Sequence, residues 1–385
     1  MPKLATLVLL AGIAAPALAE GRAITQRVTV EQLEQAIAHA HRGRDGPLAK
    51  RISNLKLSER LSAARLLRLE NELPGAQSRG ALSALADESA FLDLPAAEIP
   101  SRPAPDPAAQ AILLGLSVDY VKTAIARWPN FIATRKTTRF EGTATVIAAD
   151  LQDELFSFEL WRAPSAVNWD CPGQPKVGYR RLSVIDRSSV TVVYRNGHEL
   201  HALDEKGGEF ECPVNAVSTT EEFGEVLAWV PKVVTQGKVA WSHWEQGPAG
   251  LLAVFRYSAL VSFKMPLEVE ADGEIALNPA DGSIRRLTEI RRWTEHEPGP
   301  GPKGGYDANV EYDTAVEYGP VNIGGTICIC PVKRVAIYLA PMLWPRGWND
   351  LDDQAYRRFG ISESPLQEYL NDVTFTQYRL YGSSE

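Results

Sequence analysis

The chain has 385 residues, 45% of them hydrophobic and 23% charged, with a formal net charge of −8. That length leaves room for more than one domain, since domains run about 100–200 residues, and the apolar share is enough for a sizeable core. A mildly acidic chain with no concentrated lysine/arginine stripe argues against nucleic acid and against anionic lipid surfaces as electrostatic partners.

The N-terminus reads as an export leader. Lys3 gives a basic start, Leu4 to Leu18 is apolar apart from Thr6, Gly12 and Pro16, and Ala17-Leu18-Ala19 offers a small-x-small cleavage site before Glu20. Residues 1–19 are therefore expected to be removed, placing the mature chain in the periplasm or outside the cell. The run is shorter than the roughly 20 apolar residues of a membrane span, and no later stretch reads as a transmembrane segment. No Cys follows the cleavage site, which argues against a lipid anchor there.

Residues 20–93 read as helical. Val30, Leu33, Ile37 and Ala40 form one stripe, and the breaker-rich run Arg42 to Pro47 ends that helix. Ser58 is placed to cap a second helix, with Leu61, Ala64, Leu67 and Leu69 as its apolar face. Pro74-Gly75 stops it, and residues 76–92 form a third helix with Leu82, Leu85 and Ala86 inward. Residues 94–107 carry Pro95, Pro100, Pro103, Pro105 and Pro107, an extended linker and a domain boundary. Asp106 then caps a helix with Pro107 at its first position. That helix runs to about Trp128, with Ile112, Leu116, Tyr120, Ala124 and Arg127 along one side, and Pro129 ends it.

From Phe131 to about Leu339 the apolar period becomes two. Phe156, Phe158 and Leu160 alternate with polar neighbours, and Val190, Val192 and Tyr194 lead into Asn196-Gly197, a strong hairpin signal. Leu252 to Tyr257, Glu274 to Leu277 and Ile284 to Trp293 follow, the last two joined by Asn278-Pro279-Ala280-Asp281-Gly282. Val310 to Tyr318, a Gly324-Gly325 turn, Thr326 to Cys330 and Val332 to Leu339 continue the series. The Pro/Gly-rich segment 298–305 reads as a long loop. Asp350 to Asn371 reads as helical, and Val373 to Leu380 as a last strand closing the sheet. The expected fold is α+β: a helical N-terminal region, then, over 108–385, a large curved antiparallel sheet packed on one helix.

The mature chain holds four cysteines, Cys171, Cys212, Cys328 and Cys330. Cys328 and Cys330 share one face of a strand, where a mutual bond would be strained. Export permits disulfides, and Cys171–Cys212 is the favoured pair among three arrangements. A four-thiolate zinc site would need close pairs on both sides, and only one side has one. His198 and His201 are one residue short of a zinc-protease motif and lie on a strand, where they cannot share a metal. Asp350, Asp352 and Asp353 lack the glycine and distal glutamate of a calcium loop and read as a solvated helix start. No metal, cofactor or catalytic motif is read from the sequence.

Two constellations remain. In Trp241-Ser242-His243-Trp244-Glu245, His243 and Glu245 share a strand face, as a pKa-tuned base would require or as an ordinary cross-strand pair would. All nine tryptophans, Trp128 to Trp348, lie in or after the sheet region. They fit either a large core or an aromatic groove under a curved sheet, for which Trp161, Trp241, Trp244 and Trp293 are the candidate wall.

The helix Pro107 to Trp128 feeding into Phe131-Ile132-Ala133-Thr134, with the later hairpin Gly273 to Leu287 around Asn278-Pro279-Ala280-Asp281-Gly282, resembles the outer-membrane lipoprotein carrier family. The resemblance covers about residues 107–340. It implies a helix seated in an unclosed antiparallel barrel and a periplasmic carrier or sensor for a lipid or acyl ligand. The long sheet region, the linker and the N-terminal helices have no counterpart in that family. A second reading is a non-catalytic envelope scaffold whose N-terminal helices bind a partner protein. A third is a hydrolase-type enzyme working through His243 and Glu245.

Overall fold

A computed structural model describes residues 26–40, 44–143, 180–203, 223–262, 268–297, 306–341 and 366–382. Trp161, Cys171, Cys212, the segments 156–160 and 298–305, and Asp350 to Asp353 lie outside the described residues.

The N-terminal layer holds α1 (Val30–Ala40), α2 (Asp45–Ile52), α3 (Ala63–Glu72) and α4 (Ala76–Glu88), with a short parallel pair of strands, β1 (Gln26–Val28) and β2 (Leu55–Leu57). Its own core gathers Val30, Leu33, Ile37, Leu48, Ile52, Leu69, Leu82 and Leu85. Helix α1 ends at Ala40, as expected ahead of the breaker-rich run Arg42 to Pro47, but a further helix, α2, begins within that run at Asp45. The Asp45 carboxylate accepts from the Gln77 and Ser78 amides and the Ser78 hydroxyl, satisfying the otherwise orphaned N-terminus of α4. The second predicted helix also starts later than expected. Ser62 rather than Ser58 precedes α3, and Ser58 bonds to the Val28 carbonyl. Leu61 and Leu69 are buried, but Ala64 and Leu67 face out.

After a 3-10 turn at Ala96–Glu98, the proline-rich segment runs extended to α5 (Pro107–Arg127), whose first turn is capped by the Asp106 carboxylate on the Ala109 amide. The buried side of α5 is Leu113, Ser117, Val118 and Val121; of the expected stripe, Ile112, Leu116 and Arg127 are exposed, while Tyr120 packs partly buried on the core. Alone among the described helices, α5 is long and apolar enough to cross a bilayer, a property the sequence reading did not grant it.

The remaining elements are β3 (Phe131–Thr143), β4 (Arg180–Arg195), β5 (His198–Leu203), α6 (Glu225–Gln236), β6 (Lys238–Gly247), β7 (Gly250–Ser262), β8 (Glu268–Leu277), β9 (Ile284–Glu297), β10 (Tyr306–Ile323), β11 (Thr326–Pro341) and β12 (Leu366–Leu380). The ten strands from β3 onward form one antiparallel sheet in the order β5-β4-β3-β12-β11-β10-β9-β8-β7-β6. Two expectations are corrected here. Residues 366–371 are strand rather than helix, and β12 enters the middle of the sheet instead of closing its edge. A second helix, α6, packs with α5 against the sheet.

The sheet is curved. Side chains from strands at opposite ends of the order, Tyr194 on β4 and Trp244 on β6, join one core with Leu113 and Val121 of α5 and Leu227, Val230 and Val233 of α6. Phe131 and Tyr194 stack there with centroids 4.9 Å apart, and Phe223 meets Phe131 edge-on. Full burial of each such ring stabilises the fold by about 1.5–3 kcal/mol. Gly282, in the β8–β9 turn, has φ +71°, and a Cβ there would meet the Leu116 backbone, so this turn seats α5 against the sheet. The convex face is covered by the N-terminal layer, where Ala84 and Phe91 pack on Phe140, Val335, Ile337 and Leu370.

Candidate ligand site

Of the predicted aromatic wall, Trp241 and Trp244 come together, with ring centroids 4.9 Å apart and Phe255 beside Trp241. They sit in the main core rather than in an open groove. The Trp244 indole donates to the Pro103 carbonyl at 2.9 Å, and the Arg102 guanidinium lies 4.5 Å above its ring. The linker is thereby pinned to the edge strand. Trp293 stands apart, half-buried toward the far end of β9.

An open cleft among the described residues lies elsewhere. A cleft of about 500 Å³ runs beside the C-terminal half of α6, lined by Trp229, Val233, Ala259 and Leu260 with Lys232, Lys238 and Glu270. Its volume falls within the range of small-molecule sites. Leu260 is 63% exposed, and the Lys232 ammonium sits 5.0 Å from the Trp229 ring centre. Gly237 lets α6 turn into β6 here, because a Cβ would come 2.7 Å from the Val233 carbonyl oxygen.

On its other flank Trp229 meets Arg291, 5.9 Å from its ring centre, and Arg291 opens a polar floor on the concave face. Register places Arg291, Tyr312, Tyr338, Tyr369 and Glu141 side by side across five strands. Arg334 donates to the Tyr312 hydroxyl at 2.8 Å, Arg291 pairs with Glu289 at 2.5 Å, and Arg135 pairs with Glu199 at 3.3 Å. Arg139 pairs with Asp186. Arg135, Arg139, Arg334 and Asn371 are all buried. Beyond the helices, then, the concave face changes from apolar to arginine- and tyrosine-rich.

His243 and Glu245 do share a face, but it is the convex one. Glu245 is gripped by Arg286 at 2.5 Å and Arg60 at 2.7 Å, with His243 at 3.7 Å and Glu274 completing the cluster through Arg286 at 3.0 Å. Burial alone would raise the Glu245 pKa. Contact with the His243 imidazole and the charge and hydrogen bonds of Arg286, with Arg60 behind them, outweigh it and hold the carboxyl well below the usual range. A carboxylate so stabilised is a weak base, and its two arginines make the cluster a fastening between the N-terminal layer and the sheet. Cys328 and Cys330 are buried free thiols in the main core, their pKa values pushed up by burial.

Sequence reasoning missed Trp229 because α6 was read as part of the strand series. It missed the floor because Arg135-x-Thr137-x-Arg139-x-Glu141 looks like a solvated strand face. The available signal was that the opposite phase of β3 is also polar between Ile132 and Phe140, so polarity could not tell which side faced water. No known protein family, curated protein or solved structure matches this chain.

Proposed function

We propose that this protein is an exported, non-catalytic carrier or sensor that holds an acyl ligand in the cleft between α6 and strands β6 to β8. The observation that carries this reading is the cleft itself: an indole, Val233 and Leu260 supply an apolar wall, and two ammonium groups stand at its rim. The leader-like N-terminus and the carrier-family resemblance of the sheet region support the same reading. The apolar half of the concave face is occupied by α5 and α6, so a chain-like ligand is received beside α6 rather than beneath it. The helices that a scaffold would offer to a partner are docked on the convex face of their own sheet.

The test is extraction of the full chain after expression with its own leader and purification from the periplasm. Mass spectrometry of the organic phase is expected to find a stoichiometric acyl species, depleted in Trp229→Ala. Protein that is empty as isolated and takes up no added fatty acid overturns the reading.

A further inference from the structure

The contact between the N-terminal layer and the convex face includes two partly buried clusters of the same design, each with two carboxylates on one lysine. In the first, Lys333 of β11 lies 2.5 Å from Asp87 of α4 and 3.8 Å from Asp372 of β12. In the second, Lys56 of β2 lies 2.6 Å from Glu88 of α4 and 3.5 Å from Glu368 of β12. The Asp87 and Glu368 side chains are only 4% and 5% exposed. Each cluster holds one negative charge more than its lysine can neutralise, in a site where uncompensated charge is costly. Between the clusters lies a small apolar patch, Ala84 and Phe91 on Phe140, Val335, Ile337 and Leu370.

We propose that the N-terminal layer is a proton-responsive cover for this patch: acidification fastens it to the sheet and alkalinisation loosens it. Binding one proton in each cluster removes the surplus charge and lets the second carboxyl donate a hydrogen bond instead of repelling its neighbour. The direction follows from the two acids. Burial, with Asp372 and Glu317 adding repulsion against Lys333, lifts Asp87 from its ordinary value to about 7. Burial, with the neighbouring Glu88 acting against Lys56, lifts Glu368 to about 7 as well. A carboxyl raised in the docked state contributes its full stability below its ordinary pKa near 4. That contribution is lost as pH climbs through the docked value near 7.

Other charged groups face the same interface. Asp313 of β10 is raised to about 8 by burial and by Glu311, with Arg292 opposing, and it adds in the same direction. The Arg60–Glu245–Arg286–Glu274 cluster and the Arg256–Asp93 pair also join the two layers, but Glu245 stays ionised throughout this range. His243, beside Glu245, is the histidine among the groups named here.

The test is hydrogen exchange on the full chain from pH 5.5 to 8.0, corrected for intrinsic rates, with amides of β8 and β9 as the internal reference for global unfolding. Opening of α4 is expected to rise roughly tenfold or more across this range, while the β8 and β9 amides hold constant. Asp87→Asn combined with Glu368→Gln and Asp313→Asn is expected to flatten the slope, and His243→Gln to leave it intact. A flat wild-type profile overturns the proposal whatever the variants do. So does a slope that survives the triple substitution or disappears in His243→Gln.

Discussion

Trp241 and Trp244 pack ring against ring from one strand although they stand three residues apart, a spacing that should send them to opposite faces. Register explains it: Trp241 pairs with Phe255 and His243 with Val254, which leaves Ser242 as the extra residue of a β-bulge. The bulge turns both indoles into the core while His243 and Glu245 stay on the convex side.

Trp244 joins the core, the linker and the edge strand at one ring. Trp244→Ala is expected to cost about 3–5 kcal/mol, read as a lower urea midpoint. Trp244→Phe, which keeps most of the packing and loses the hydrogen bond to Pro103, is expected to cost less.

Glu245 is the shared partner of two buried arginines. Glu245→Gln leaves Arg60 and Arg286 with Glu274 as their one remaining carboxylate in the cluster and should destabilise by up to about 3–5 kcal/mol. The folded pKa of Glu245 lies below its ordinary value. Its contribution is therefore present above pH ~4.5 and withdrawn only as pH falls toward the folded value. Acid denaturation of wild type and variant should converge at low pH, and curves that stay parallel would contradict this.

Lys232 and Lys238 stand at the rim of the cleft and outside the core. Replacing both with Glu is expected to weaken binding of a fluorescent fatty-acid probe by tenfold or more, with melting temperature nearly unchanged. Unaltered probe binding would remove the lysines from the site.

Burial keeps the thiols of Cys328 and Cys330 protonated and out of reach. Alkylation mapped by mass spectrometry should leave both unmodified in the native protein and modify both in denaturant. Rapid native labelling of either would be inconsistent with a core position.

Local signals in the sequence were faithful where one physical cause dominated. Asn196-Gly197 makes the β4–β5 turn with φ of 55° and 87°, and Asp106-Pro107 starts α5 as capping chemistry requires. The failures share another origin, which is that both faces of the central strands are covered. On β11, Lys333, Val335 and Ile337 meet the N-terminal layer while Cys328 and Arg334 face the concave side, so alternation does not mark inside from outside. The same double coverage hid the polar floor. Helix α6 was lost because Val-Leu-Ala-Trp-Val-Pro-Lys-Val-Val is rich in β-branched residues and interrupted by Pro231, a composition that reads as strand. Only packing against the sheet decides it.

The strand order also sets a schedule for synthesis. β3, β4 and β5 are made early and β6 to β11 follow, yet among the described strands the two groups are joined by backbone hydrogen bonds only through β12, which pairs with β3 on one side and β11 on the other. Until translation passes Leu380, the emerging polypeptide holds two half-sheets with open edges and no seam between them. A ribosome stalled before residue 366 releases a product with two unpaired central edges, prone to sticking to its own kind. Completion of the sheet therefore waits on β12.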